Sequence, residues 1–225
     1  MKTPFFKAVL TIIRKDLLTE LRSRELLSAM LLFALLSVLI FSFALELNRT
    51  ARQEVVSGAL WVTLIFASIL GLNRSLAMER DQGNLDALFL APVDRSAIFF
   101  GKMLGNFLFT LAVGLMLLPL MTILFNITLI QPALFLTLTL GTLGLASVGT
   151  LLSAMTVQTR ARETLLPIVL LPVALPVLLT VIRASSGIIT HSQTANWLPW
   201  MQLLAVIDLI YIALCTLLFD YVVED

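Results

Sequence analysis

An all-α membrane protein, with six transmembrane helices preceded by an N-terminal amphipathic interfacial helix, is predicted by three features of this 225-residue sequence. Hydrophobic residues make up 59% of the chain and its mean hydropathy is +1.01, a composition that leaves a water-soluble domain of this size too little polar surface. Charged residues are gathered into short clusters, and the uncharged runs between them reach the length of about 20 residues that a helix needs to cross hydrocarbon. Lys and Arg also fall unevenly on the two sets of loops that those runs define. The net charge of +1 carries little information by itself, because in a membrane chain the side on which each basic residue lies is what matters. Nucleic acid is not an expected partner. The single cysteine, Cys215, lies in an apolar run, so this chain alone builds neither a disulfide nor a cysteine metal cluster, and no metal site is predicted.

Residues 1–25 form the interfacial element. Phe6, Val9, Leu10, Ile13, Leu17 and Leu21 fall on one arc of a helix, with Lys7, Thr11, Arg14, Lys15 and Arg22 opposite. Such a helix lies along the membrane surface, either as an anchor that sets topology or as a docking surface for a soluble partner. The run Leu26–Leu45 is the first span. It is longer than a signal-peptide core, so despite the weak Ser42-Phe43-Ala44 cleavage pattern it is expected to stay attached. Val55–Asn73 is the second span. Between Lys102 and Arg160 no ionisable residue occurs, which suits two helices, Met103–Phe125 and Pro132–Thr156, turning at Asn126, Gln131 and Pro132. Thr164–Ile182 and about Met201–Phe219 complete the set.

With the amino terminus inside, segments 1–25, 73–102, 157–163 and the tail hold twelve basic residues, against Arg49, Arg52 and Arg183 outside. The positive-inside tendency therefore places both termini in the cytoplasm. The acidic tail, 220–225, scarcely opposes it.

Segment 74–102 carries Glu79, Arg80 and Asp81, then Asp86, then Asp94 and Arg95, around Leu85, Leu88, Phe89 and Leu90. One short helix stopped by Ala91-Pro92 is predicted here. Its apolar knobs and flanking charges suit docking into the groove of a soluble partner, and an ordinary solvated loop with paired charges is the alternative. Within the spans, Asp208 is expected either to have a structural partner (Asn196, Gln202 or Arg183) or to serve a substrate path or proton-linked gating. Pro167, Pro172 and Pro176 free backbone carbonyls in the fifth span and are hinge candidates, with simple bending the alternative. Gly141, Gly144 and Gly149, with Ala146 and Ser147, offer a small-residue face for close helix packing in the fourth.

Taken in order, several motifs carry a family resemblance: Arg14-Lys15-Asp16-Leu17 with Glu20 and Arg22; Glu79-Arg80-Asp81 with Gly83, Leu85, Asp86 and Ala91-Pro92-Val93-Asp94-Arg95; Arg160-Ala161-Arg162-Glu163 with Pro167, Pro172 and Pro176; and Asp208 with Phe219-Asp220-Tyr221-Val222. In these the chain resembles the cytochrome c maturation protein B family, the permease subunit of a haem exporter complex within the type-2 ABC permease class. The resemblance extends from end to end and implies one permease domain over 1–225. Residues 1–25 would be its interfacial helix, 26–219 its six spans, 74–102 its coupling segment and 220–225 its tail.

It further implies that Glu79, Arg80, Asp81, Gly83, Leu85, Asp86, Leu88, Asp94 and Arg95 couple to an ATPase, with Arg160, Arg162 and Glu163 forming a second cytoplasmic loop. The chain is not expected to be an enzyme: no Gly-x-x-x-x-Gly-Lys-Ser/Thr phosphate cradle occurs, since Gly101-Lys102 lacks both the upstream glycine and the following hydroxyl. ATP and Mg would be bound by a separate CcmA-like ABC ATPase, two permease copies would sit in one complex, and CcmC-like and CcmD-like haem-handling membrane proteins would accompany them. The implied location is the bacterial inner membrane. Haem is implied as a transported or handled ligand rather than a cofactor of this chain. His191, the lone histidine, lies in a Ser/Thr-containing outward segment and reads as a loop residue rather than an axial ligand. Trp197 and Trp200 suit the interfacial aromatic belt. An ABC permease for lipid, glycan or drug, and a non-transporting membrane scaffold, are the alternative functions.

Overall fold

The computed structural model describes residues 4–44, 49–81, 93–157, 159 and 161–222. These form seven helices: α1 Phe5–Ser23, α2 Glu25–Ala44, α3 Arg49–Asp81, α4 Arg95–Phe125, α5 Pro132–Thr156, α6 Arg162–Ile189 and α7 Thr194–Val222. The last six are each long and apolar enough to cross a membrane, in keeping with a multi-pass membrane protein.

The chain turns sharply from α1 into α2 at Arg24, which adopts the left-handed conformation (φ 54°) and donates its N–H to the Glu20 carbonyl at 2.7 Å. The buried Glu20 carboxylate then accepts the N–H groups of Leu26 (3.3 Å) and Leu27 (2.8 Å). Two orphan donors of the first turn of α2 are thereby satisfied, by an acid placed where the helix dipole favours one. At the predicted turn after α4, Asn126 takes the left-handed C-cap position and Pro132 opens α5. Both positions follow from backbone chemistry: Asn tolerates φ > 0 and Pro lacks only an N–H that would be orphaned anyway.

Several helices outrun their expected bounds. The second span is the middle of a continuous helix reaching Asp81, and α4 begins at Arg95, so both flanks of segment 74–102 are span extensions. The expected separate short helix therefore loses Glu79, Arg80 and Asp81 to the end of α3. Charges stop a span at the hydrocarbon boundary but do not stop a helix, and 74–81 holds no Gly or Pro. Likewise α6 continues through Arg183 to Ile189 and α7 starts at Thr194, which reduces the segment expected to face outward to a tight turn containing His191 at φ 51°. Asp220, Tyr221 and Val222, expected in the tail, are the last residues of α7.

Helices α3 and α5 form the centre, with 72% of each span window buried, whereas α2 and α7 bury 22% and leave one face for lipid. The small residues of α5 make this close packing possible. A β-carbon at Gly141 would collide with the Trp61 ring and Val181, and one at Gly149 with the Leu72 side chain. Trp61 is fully buried and donates its indole N–H to Ser185 Oγ at 2.9 Å, while Ser57 Oγ donates to the Ile182 carbonyl at 2.9 Å. Asn106 Nδ2 donates to Thr150 Oγ1 (2.9 Å), tying α4 to α5.

Pro167, Pro172 and Pro176 all lie inside the unbroken α6. The carbonyl of Val173, in the stretch between Pro172 and Pro176, receives the Tyr211 hydroxyl from α7 at 2.7 Å. Tyr211→Phe is expected to lower stability by about 0.6 kcal/mol, the average for an interhelical hydrogen bond in a membrane protein. Equilibrium unfolding in mixed micelles measures this, and no change would mean that the carbonyl has no need of the donor.

Candidate functional site

The candidate site is the end of the bundle where α1 packs. The residues of α1 that turn inward are Ala8, Val9, Ile12 and Glu20, and Asp16 lies on the same i, i+4 row as Ala8, Ile12 and Glu20. Of the apolar arc expected to lie along the membrane surface, Phe6, Leu10 and Leu21 are exposed, and only Val9 is buried against protein. The helix thus has three faces. One packs on protein, one is apolar and left for lipid, and one carries the basic residues.

The inward row meets α4 where that helix has no side chains in the way. A β-carbon at Gly101 would lie 2.8 Å from Ile12, and one at Gly105 would lie 3.5 Å from Asp16 Oδ2. Between those glycines Lys102 extends its ammonium to both oxygens of Asp16, at 2.9 and 3.1 Å. The side chains are 4% and 10% exposed, so this is a buried ion pair, and Lys15 also approaches Asp16 at 3.4 Å. Ala97 and Phe100 of α4 close against Phe5, Ala8 and Val9 beside it.

The same stretch of α4 is tied to the end of α7. Arg95 Nη1 donates to the Asp220 carbonyl at 3.0 Å, one of the last orphan acceptors of α7, and the Phe99 and Phe219 rings pack tilted with centroids 5.4 Å apart. Arg74 of α3 pairs with Glu25 at the start of α2. The first two turns of α4 therefore bind α1 and α7, while α3 is tied to α2. What results is a braced platform at the point where the chain leaves α3 and returns as α4.

Of the coupling candidates, Arg95 is part of this brace, and Asp94 precedes α4 as its N-cap residue. Glu79, Arg80 and Asp81 end α3, and nothing of their side chains is described. Gly83, Leu85, Asp86, Leu88 and Arg160 lie outside the described residues. Arg162 and Glu163 begin α6, with Glu163 exposed. Sequence patterning missed the Asp16–Lys102 pair and the capping role of Glu20. The available signal was the row Ala8, Ile12, Asp16, Glu20, in which two acids continue an apolar stripe.

Asp208 is at the middle of α7, fourteen residues from its start and hence deeper than the expected bounds placed it. It is 2% exposed, and neither carboxyl oxygen has a hydrogen-bond partner. The expected partners Asn196, Gln202 and Arg183 do not reach it. Among the described residues no cluster of His, Cys, Asp and Glu is arranged to hold a metal ion.

The match to known proteins covers almost the entire chain. Residues 7–224 match the family model described as CcmB protein. The chain belongs to the CcmB family. Relatives named heme exporter protein B are similar along most of their length. The Rhodobacter capsulatus protein is 29% identical over 171 residues, covering 75% of this chain and 78% of the relative. The Pseudomonas aeruginosa protein is 25% identical over 84% of both chains. That of Bradyrhizobium diazoefficiens is 27% identical over 81% of this chain and 82% of its own. The CcmB match runs from the first turn of α1 past the end of α7 and includes Asp16, Arg95, Lys102 and Asp220 of the braced platform.

Proposed function

We propose that the chain is the transmembrane permease subunit of an ABC transporter complex in cytochrome c maturation. It would couple ATP hydrolysis by a separate CcmA-like ATPase to haem export, or to release of a haem-loaded chaperone on the outer side. The family match over residues 7–224, to relatives named heme exporter protein B, is the observation that carries this reading. The chain has no phosphate-cradle motif of its own, so the energy source belongs to another polypeptide.

The platform supports the coupling half of the proposal. A push delivered between the end of α3 and the start of α4 meets helices already braced to α1, α2 and α7, and so moves several spans together rather than bending one. The chain holds one histidine, His191, exposed in the α6–α7 turn, which favours conveyed motion over haem ligation by this subunit. In this scheme the platform faces the cytoplasm of a bacterium, both termini lie on that side of the inner membrane, and CcmC-like and CcmD-like proteins handle haem beside two permease copies.

Reversing the charges at Glu79, Arg80 and Asp81 together is expected to abolish co-purification of the ATPase from native membranes, along with permease-stimulated hydrolysis, while the permease itself still accumulates. Unchanged association and stimulation would remove the coupling assignment. Recovery of an ATPase without haem-maturation proteins would favour an exporter of lipid, glycan or drug, and recovery of no ATPase would favour a scaffold.

A further inference from the structure

A carboxylate inside hydrocarbon needs a counter-charge, hydrogen-bond donors or a proton. Asp208 has no hydrogen-bond partner at either oxygen. The elements packed against its helix supply no counter-charge. Helix α5, which faces it, contains no ionisable residue. In α6 the ionisable residues are Arg162 and Glu163 at the start and Arg183, which is exposed and six residues beyond the contacting Val177. In α4 they are Lys102, which binds Asp16, and Arg95, which binds the Asp220 carbonyl. On α7 itself the Tyr211 hydroxyl is given to Val173, Cys215 lies about 10 Å further along the axis, and Asp220 and Tyr221 are at the far end. Among the described residues only the proton remains.

The position is built to hold an uncharged acid. Asp208 is the central residue of α7 and Gly144 the central residue of α5, so both sit midway across the spans. The carboxyl oxygen Oδ1 lies in the space that a side chain at residue 144 would occupy, and Val177 closes the same spot at 3.2 Å. Val177 follows Pro176 directly, on the helix whose ladder three prolines weaken. A seam of three helices thus seals the acid, and one of its walls is the helix best able to bend.

We propose that Asp208 is an intramembrane proton-binding site, which keeps its proton while sealed against Gly144 and releases it when α5, α6 and α7 part to admit water. On opening, the carboxyl O–H bond breaks, its electron pair stays on oxygen, and the proton passes to the admitted water. Reclosure requires the reverse transfer, so the open and sealed states differ by one proton. Opening is therefore favoured by high pH and sealing by low pH. This assignment does not depend on what the permease carries.

Isotope-edited infrared spectroscopy of the full-length permease in lipid nanodiscs, with aspartate labelled at the side-chain carboxyl carbon, tests it. At neutral pH the expected spectrum contains the C=O stretch of a protonated carboxyl free of hydrogen bonds, absent from Asp208→Asn. In heavy water that band should keep its proton form in the resting protein and shift only under conditions that open the seam, such as nucleotide-trapped complex with its ATPase. Gly144→Ala, which drives the carboxyl out of its recess, should move the band or remove it even if the Asn variant fails to accumulate. Three results would each overturn the proposal: carboxylate stretches alone at neutral pH, persistence of the band in Asp208→Asn, or immediate deuterium exchange at rest.

Discussion

Asp16→Asn and Lys102→Met are each expected to destabilise the permease by about 3–5 kcal/mol, the usual cost of leaving one member of a buried ion pair without the other. The geometry places this pair in that class rather than among surface bridges of little consequence: side-chain exposures are 4% and 10%, and both carboxylate oxygens are engaged. Asp16→Asn takes the carboxylate from the Lys102 ammonium between Gly101 and Gly105, and Lys102→Met leaves Asp16 beside the half-exposed Lys15, 3.4 Å away. The double variant Asp16→Leu with Lys102→Met should be less destabilised than either single change, because a buried pair replaced by apolar groups of similar volume is often neutral. Denaturant titration of the four proteins in mixed micelles completes the cycle. Additive effects of the two changes would show that the residues do not act as a pair in the membrane. The pair also bears on the proposed function. If the platform moves as one body, the single variants should lose ATPase stimulation in parallel with stability, and the apolar double variant should regain both.

Trp61→Ala is the second large effect, with an expected loss of about 3–5 kcal/mol for truncating a buried aromatic residue that cannot be replaced by local collapse. Trp61 is fully buried on the central helix α3, its ring filling the space left by Gly141 on the central helix α5. In a bilayer the surrounding lipid is as apolar as the core, so the cost arises from lost van der Waals contact and from Ser185 losing its indole partner. Gly141→Val, which overpacks the same site, should cost about 1–3 kcal/mol by itself. Combined with Trp61→Ala it should cost less than the sum, since the added methyl groups enter the space that the ring vacates. Strict additivity would mean that the two helices do not meet through this contact.

How much of this was legible in the sequence depends on what kind of neighbour each residue was read against. The six spans, the α4–α5 turn at Asn126 to Pro132 and the three prolines of α6 follow from hydropathy, backbone chemistry and the absence of charge, all properties of a residue relative to solvent or to its own chain. Helix ends were less legible. Arg183 and Arg74 mark where the apolar runs stop, yet α6 and α3 continue past them because nothing in the backbone there disfavours a helix. The inward face of α1 was not legible for a related reason. Periodicity identifies an apolar arc, but in a membrane that arc has two competing destinations, lipid and protein, and Phe6, Leu10 and Leu21 are left on the lipid side.

By itself, then, the order of residues determined that this chain spans a membrane six times, where it turns, and the family to which it belongs, because those depend on local composition and on motifs read in series. Tertiary structure alone decided the fates of two acids of the same chemistry. Asp16 finds Lys102 across 86 positions of sequence, whereas Asp208 lies against Gly144 with no hydrogen-bond partner at either oxygen. The physical reason is that a buried charge is governed by whichever atoms lie within a few ångströms of it. Those atoms are supplied by helices whose mutual placement no stretch of sequence contains.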